Sequence, residues 1–333
     1  MLTKLKFKNY KSFTHETIVE LSSTNFKKNI KGCCFYGENA SGKTNILEVI
    51  KLLLDMLFNE HNNFFTLVTF FNEEQTMFFE YKFLIDEKEI VYYFEIDRNG
   101  IINKETLTID NEIKLYRLIS SCKSKITEKE NYDINDANKN ILFLRSIYFN
   151  IGFNRYKELI HLFDFLEHSI FINPINEIQE ENLKKTYLQK YIDKYGVGDI
   201  NNFLKKFNFL YQINYEKSEF MNSIFSFTRQ LKFIRSNFCD IPYFMESFGN
   251  KILINILPCI LTIVKSGGIL IIDEFSSILS KKTQKILIDY IFSNSSNCQL
   301  FFSLNSSILP KNKYIKFEEV YFNKKGSFIK TID

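Results

Sequence analysis

The 333-residue chain has no tryptophan, only 11 glycines, and six cysteines with no C-x-x-C pair among them. Cys33, Cys34, Cys122, Cys239, Cys259 and Cys298 form no Cys/His cluster of zinc spacing, which argues against a structural zinc or a zinc hook. Cys33, Cys34 and Cys298 lie in apolar, strand-like runs, so they read as buried free thiols of a reducing compartment. The opening "MLTKLKFKNYKSF" alternates polar and apolar residues and lacks the apolar core of about 7–15 residues that a signal peptide needs. The longest apolar run, "ILINILPCILTIV" (252–264), is too short for a bilayer and contains a proline, so a buried helix is expected. No sustained heptads, internal repeat or low-complexity linker is present, which excludes a long coiled-coil arm.

What is present is ordinary in bulk. Hydrophobic residues make up 45% and charged residues 25%, as in soluble globular proteins. The length accommodates one large domain or two ordinary ones with a sizeable core. A net charge of +4 is too small to argue for nucleic acid by itself. The many Phe and Tyr accompany many Lys, Asn and Ile, a coding bias to which no function is attached.

The patterning predicts an order of elements. Two strands, "KLKFKNYKSF" and "ETIVELS", are followed by an apolar strand, "KGCCFYG" (31–37), and a helix from Thr44. Residues 76–110 read as a β-meander with turns at "EKE" and "RNG". Residues 111–240 read as mostly helical, with a polar surface excursion at 175–200. After 246 helix and strand alternate: a helix (251–264), "GGILIIDE" (267–274), a helix (281–292), "CQLFFSLN" (298–305) and a closing strand pair.

Between strand and helix lies "GENASGKT": Gly37, Glu38, Asn39, Ala40, Ser41, Gly42, Lys43 and Thr44 match G-x-x-x-x-G-K-[ST]. Glycines let backbone N–H groups converge on phosphate oxygens, and the helix that follows aims its N-terminus at the anion. Lys43 is expected on the β- and γ-phosphates and Thr44 on Mg²⁺. A second acid is supplied by "ILIIDE": Asp273 as a magnesium residue through water, Glu274 as the base that polarises the attacking water. About 230 residues separate Lys43 from Asp273. That is far longer than in compact GTPases or small kinases, and it suits a fold with a lobe inserted between the two halves.

Four stretches carry a family likeness: "FKNYKSF" (7–13), "GENASGKTNILEVI", "ESFGNKIL" (246–253) and "GGILIIDEFSSIL". Together they resemble soluble ABC-type ATPases of the SMC/RecF/OLD kind, and more closely the stand-alone prokaryotic AAA family ATPases of phage-defence and abortive-infection loci. The likeness runs nearly end to end, with 110–240 matching only in helical character. It implies an α/β fold, a P-loop NTPase of the ABC ATPase head type: a mixed sheet core with an antiparallel β-meander and an inserted helical lobe. The expected division is 1–110 (first ATPase lobe), 111–240 (helical insertion) and 241–333 (second ATPase lobe). The likeness also implies that Asn39 and Asn45 belong to the nucleotide loop, with Gly37, Ala40, Ser41 and Gly42. Ser247 and Gly249 take signature-motif places, reaching the γ-phosphate held by a second copy of the chain. Alone, E-S-x-G is equally a helix cap. Gln75 is the candidate for the glutamine that watches the metal, or else a solvated loop amide.

Departures from the family pattern bear on rate. Ser276 stands where the family has the D-loop aspartate, Ser280 where it has a histidine, and Asn305 where it has the switch histidine. Asn305 can hydrogen-bond the γ-phosphate or the water but cannot shuttle a proton near neutral pH. Slow but real ATP hydrolysis is expected.

The resemblance implies a cytoplasmic ATPase that uses ATP and Mg²⁺, dimerises through an ATP sandwich and has no membrane partner. It would act as sensor or scaffold of an antiviral defence system. The chain leaves no room for a fused nuclease, so the effector is expected to be another polypeptide. Two alternatives stand beside it: a RecF-like clamp on DNA, with Lys4, Lys6, Lys8, Lys11, Lys205 and Lys206 as groove candidates, and a nucleotide-binding module that does not hydrolyse.

Overall fold

Strict alternation of buried and outward-facing residues organises the N-terminal half. In Thr76–Ile85 every second residue from Met77 to Ile85 is buried, and Lys88–Asp97 answers with the opposite phase. Such a pattern builds an antiparallel sheet with one apolar face. The computed structural model describes residues 1–21, 30–59, 70, 76–135, 138–179, 185–216, 230–235, 239–275, 279–305 and 312–332. These fall into two units: Met1–Ser169 with Gln299–Asp333, and Ile170–Cys298.

The first unit carries an eight-stranded antiparallel sheet. Its order is Thr17–Glu20, Leu2–Lys8, Thr76–Ile85, Lys88–Asp97, Ile102–Ile109, Glu112–Leu118, Ser121–Ser124 and Asn131–Asp133. The meander expected over 76–110 is therefore present and continues for three further strands. A second layer centres on Gly32–Tyr36, all five residues buried. It pairs in parallel with Cys298–Leu304 on one side and Ile315–Asn323 on the other, and the latter forms a hairpin with Gly326–Ile332. The helix Lys43–Phe58 buries Ile46, Leu47, Val49, Ile50, Leu53 and Leu57, and the Tyr81 hydroxyl donates to Val49 O at 2.7 Å, tying helix to meander.

Two sequence expectations need correction here. The first strand ends at Lys8 and does not continue to Phe13. Asn9 and Lys11 take left-handed φ of 63° and 50°, and Tyr10 and Phe13 close a tight turn through paired backbone bonds. The segment 111–240, read as mostly helical, also holds six strands and the start of a seventh among its described residues. Glu112–Leu118 escaped notice because its inward face carries an arginine. Arg117 is fully buried and pairs with the equally buried Glu105 at 3.3 Å. The Glu105 carboxylate also accepts from Tyr92 OH and from the backbone N–H groups of Phe143 and Leu144, at 2.7–2.9 Å. It thereby satisfies the open first turn of the helix Phe143–Asn150, which has no side-chain cap of its own.

The second unit has at its centre the helix Phe248–Ser266, with eleven buried residues from Ile252 to Ile263. It is the one described helix long and apolar enough to cross a membrane by length and composition alone. Its burial matches a core helix, as expected from the proline-bearing run. Gly268–Ile272 follows, wholly buried, and pairs in parallel with Ile170–Ile172. The unit also holds the helices Pro174–Gln179, Tyr187–Tyr195, Gly198–Lys206 and Lys281–Asn294, and a three-stranded antiparallel sheet, Gln212–Tyr215, Leu231–Arg235 and Cys239–Pro242. The thiols of Cys33, Cys34, Cys122, Cys259 and Cys298 are free and buried. Burial pushes Cys33, Cys34 and Cys259 well above the ordinary thiol range and Cys122 up to about 12, so they are packing residues, not nucleophiles.

Candidate nucleotide site

The loop 37–42 is built from backbone conformations that few residues tolerate. Gly37, Ala40 and Gly42 have φ of 156°, 62° and 108°. A Cβ on Gly37 would sit 2.1 Å from Val320 O, and one on Gly42 would sit 2.6 Å from Ser327 Oγ. Both positions therefore exclude any side chain, on space as well as on conformation. Positive-φ residues of this kind, alternating with ordinary ones, let a loop turn its backbone N–H groups toward an anion.

Lys43 is only 6% exposed, and its Nζ donates to Gly37 O at 3.0 Å and Glu38 O at 2.7 Å. The ammonium is thus folded back across the loop it follows. Ser41 is buried, and its Oγ has no hydrogen-bond partner among the described residues. Asn39 and Ala40 are exposed at the loop's tip, while Thr44 and Asn45 are half-buried in the helix's first turn.

The N-terminal "NYKSF" turn supports this loop. Asn45 Nδ2 donates to Ser12 Oγ at 2.7 Å, Ser327 Oγ donates to Ser12 Oγ at 2.8 Å, and Ser327 N donates to Ser12 O at 2.8 Å. Lys11 forms an ion pair with Glu48 on the loop's own helix. Sequence reasoning noted the "FKNYKSF" likeness but missed this role. The available signal was the short polar pair Lys11-Ser12 inside an otherwise aromatic segment. Asn305 is exposed and follows directly on the strand whose Leu304 pairs with Tyr36. In register it is level with Gly37, at the end of the strand from which the loop departs.

In the second unit the wholly buried strand Gly268–Ile272 delivers Asp273 at its carboxyl end, 4% exposed. Asp273 N donates to Ile172 O at 3.0 Å, and its carboxylate accepts from Asn173 Nδ2 at 3.4 Å and from Glu274 N at 3.1 Å. Glu274 takes a left-handed φ of 58°, uncommon for a residue with a side chain. Strain of this sort gathers at functional positions and is held in place by its surroundings, here the buried Asp273 before it and the buried Phe275 after it.

Ser247 precedes the helix Phe248–Ser266 and is exposed, and its side chain makes no capping hydrogen bond. The cap explanation for E-S-x-G therefore does not account for the serine. The helix start is anchored by its neighbour Glu246, whose Oε1 accepts from Ser247 N at 2.7 Å, Asn250 Nδ2 at 3.0 Å and Arg235 Nη2 at 2.7 Å. Burial pushes the Glu246 carboxyl up, but the Ser247 amide, Asn250 and Arg235 outweigh it and hold the group below its usual range. Gly249 is half-buried in the first turn of the same helix. Gln75 and Ser276 lie outside the described residues.

Residues 33–303 match the family described as "AAA domain, putative AbiEii toxin, Type IV TA system". No curated protein matches the chain. Among solved structures, the SMC head domain from Thermotoga maritima is similar at 15% identity and a TM-score of 0.55, over 100% of this chain and 99% of that one. The SMC head bound to the C-winged helix domain of ScpA is similar at 15% identity and a TM-score of 0.52, over 100% and 97%. RecF with ATPrS, the recombination mediator of the RecFOR pathway, reaches 14% identity and a TM-score of 0.50, over 100% and 98%. Identities this low speak for the fold, and the fold is the P-loop head expected from the sequence. The match over most of the chain goes further: this protein belongs to that AAA-domain family, and its fold is that of SMC head and RecF structures.

Proposed function

We propose that the chain binds ATP on the loop 37–45, hydrolyses it slowly, and closes on it as a homodimer. In this reading it is the nucleotide-driven sensor or scaffold of a prokaryotic antiviral defence system, works in the cytoplasm, and acts through a separate effector protein, such as a nuclease. The observation that carries the reading is the construction of the loop. Its backbone admits no Cβ at Gly37 or Gly42, it holds a buried Ser41 hydroxyl without a partner among the described residues, and it brings a lysine ammonium against its own carbonyls. All three are what a triphosphate requires of a protein.

The residues also suit magnesium. The Thr44 hydroxyl and the Asp273 carboxylate are hard oxygen donors, of the kind Mg²⁺ takes alongside phosphate oxygens and water. Magnesium bound with the nucleotide would neutralise phosphate charge. Lys43 supplies a second positive charge. Glu274 accepts the proton of the attacking water, and its left-handed backbone is consistent with a strained functional position. Asn305 orients by hydrogen bonding without moving a proton, which makes turnover slow. Ser247 and Gly249 serve the nucleotide of a second copy.

The DNA-clamp reading draws less support. Lys4 pairs with Glu20 at 3.4 Å, Lys6 with Glu16 at 3.0 Å and, in the turn after the strand, Lys11 with Glu48, so the N-terminal segment offers paired charge more than a basic stripe. Lys206 lies over the rings of Phe207 and Tyr290.

Single-turnover phosphate release from the full chain with Mg²⁺-ATP tests the enzyme reading. Wild type is expected to release phosphate above background and Glu274→Gln to fall to background. Background release from both would leave a binding module only.

A further inference from the structure

The loop accounts for phosphates, and a nucleotide also has a base. Both glycine ends of the loop rest on one hairpin, Ile315–Asn323 with Gly326–Ile332. Gly37 is packed against Val320 O, and Gly42 against Ser327 Oγ. The residue after Val320 is Tyr321, and the residue after Ser327 is Phe328. These two are cross-strand partners, with rings stacked at a centroid distance of 5.7 Å and an interplanar angle of 18°. The His15 ring also lies against Phe328, with a centroid distance of 5.2 Å and a tilt of 39°.

The row His15–Phe328–Tyr321 is held against the loop's supports. Thr14 Oγ1 donates to Lys325 O at 2.7 Å, and Ser12 bonds both Ser327 and Asn45. A Cβ on Gly326 would sit 2.5 Å from Ser12 O, so the hairpin turn and the "NYKSF" turn are in direct contact. Yet the row's outer members face solvent: Tyr321 is 42% exposed and His15 is exposed. Ordinary packing places aromatic rings under cover, and an open row beside a phosphate loop has the chemistry of a stacking surface.

We propose that His15, Phe328 and Tyr321 form the platform on which the purine base of the bound nucleotide stacks, so that the C-terminal hairpin, not the loop, selects the base. This rests on the nucleotide reading above. Stacking on aromatic rings tolerates several bases but favours the larger purine surface, and hydrogen-bond readout is not required for it.

The test compares ligands with and without a base. Titration calorimetry on the full chain measures affinity for Mg²⁺-ATP, Mg²⁺-CTP and inorganic triphosphate. Tyr321→Ala and His15→Ala, at exposed positions, are expected to weaken ATP binding about 5- to 100-fold while leaving triphosphate affinity unchanged. Tyr321→Phe restores ATP binding, and the ATP-over-CTP preference narrows in the alanine variants. Unchanged ATP affinity in both alanine variants overturns the platform. So does an equal loss for triphosphate, which would mean that the loop itself was disturbed. A wild-type chain that binds triphosphate and ATP equally overturns the platform while sparing the phosphate loop, and one that binds neither ligand overturns the nucleotide reading together with it.

Discussion

The loop 37–42, proposed as the phosphate loop, and the start of the helix Phe248–Ser266, proposed as the signature helix, both place a helix N-terminus after a tight turn, and they are built in opposite ways. At the loop the two ends are enclosed, and only the tip, Glu38 to Ala40, is exposed. Lys43 and Ser41 are buried, Gly37 and Gly42 are packed against backbone and hydroxyl atoms of the hairpin, and Ser12, Ser327 and Asn45 brace the helix start. At the signature helix only the anchor is enclosed. Glu246 is 8% exposed, whereas Ser247 is exposed and is flanked by the open side chains of Phe244, Met245 and Phe248. One N-terminus is finished within its own unit, and the other presents its serine and an apolar rim outward. A surface of this composition, a polar group ringed by exposed aromatic and methionine side chains, is what protein contacts favour.

If that contrast is right, damage at the loop removes binding outright. Gly42→Val forces a branched side chain onto φ of 108° and into Ser327 Oγ. Loss of more than about 100-fold in ATP affinity is expected by calorimetry. Next in size is Glu274→Gln, which should slow single-turnover hydrolysis by about 100- to 10,000-fold while ATP binding persists. Ser247→Arg separates the two ends most sharply. Each chain still binds ATP with wild-type affinity, but ATP no longer raises the mass in solution.

The smallest effect concerns the signature anchor. Because the native carboxyl of Glu246 is held below its ordinary value of 4.5, its contribution to stability is complete above that pH. The contribution is lost as the pH falls through the lower native value. Glu246→Gln removes that part of the acid dependence and weakens the protein by about 1–3 kcal/mol near neutral pH, read from chemical-denaturation midpoints.

How much of this could be read from sequence depended on how local each feature is. Strand Gly32–Tyr36, the glycine loop and helix Lys43–Phe58 form one continuous segment whose pattern shifts from an apolar run to helical spacing. The buried run that delivers Asp273 is equally local, and so are the alternating strands 76–109. The bracing of the loop was not legible, because Ser12 and Ser327 meet across 315 residues and neither has a distinctive neighbourhood. The extension of the meander was hidden by Arg117, a charge placed on an inward face that Glu105 and the carbonyls of Asn138, Lys139 and Ile141 make tolerable. The turn at Asn9–Phe13 reads as strand because its left-handed residues, Asn9 and Lys11, are not glycines. The exposure of Ser247 could not be read either, since the same letters describe a helix cap.

The measurement that bears most directly on the account is mass in solution of the full chain carrying Glu274→Gln, with Mg²⁺-ATP, with Mg²⁺-ADP and without nucleotide. Doubling is expected with ATP alone, abolished by adding Ser247→Arg. A single-chain mass under every condition, in a protein shown by calorimetry to bind ATP, would contradict it.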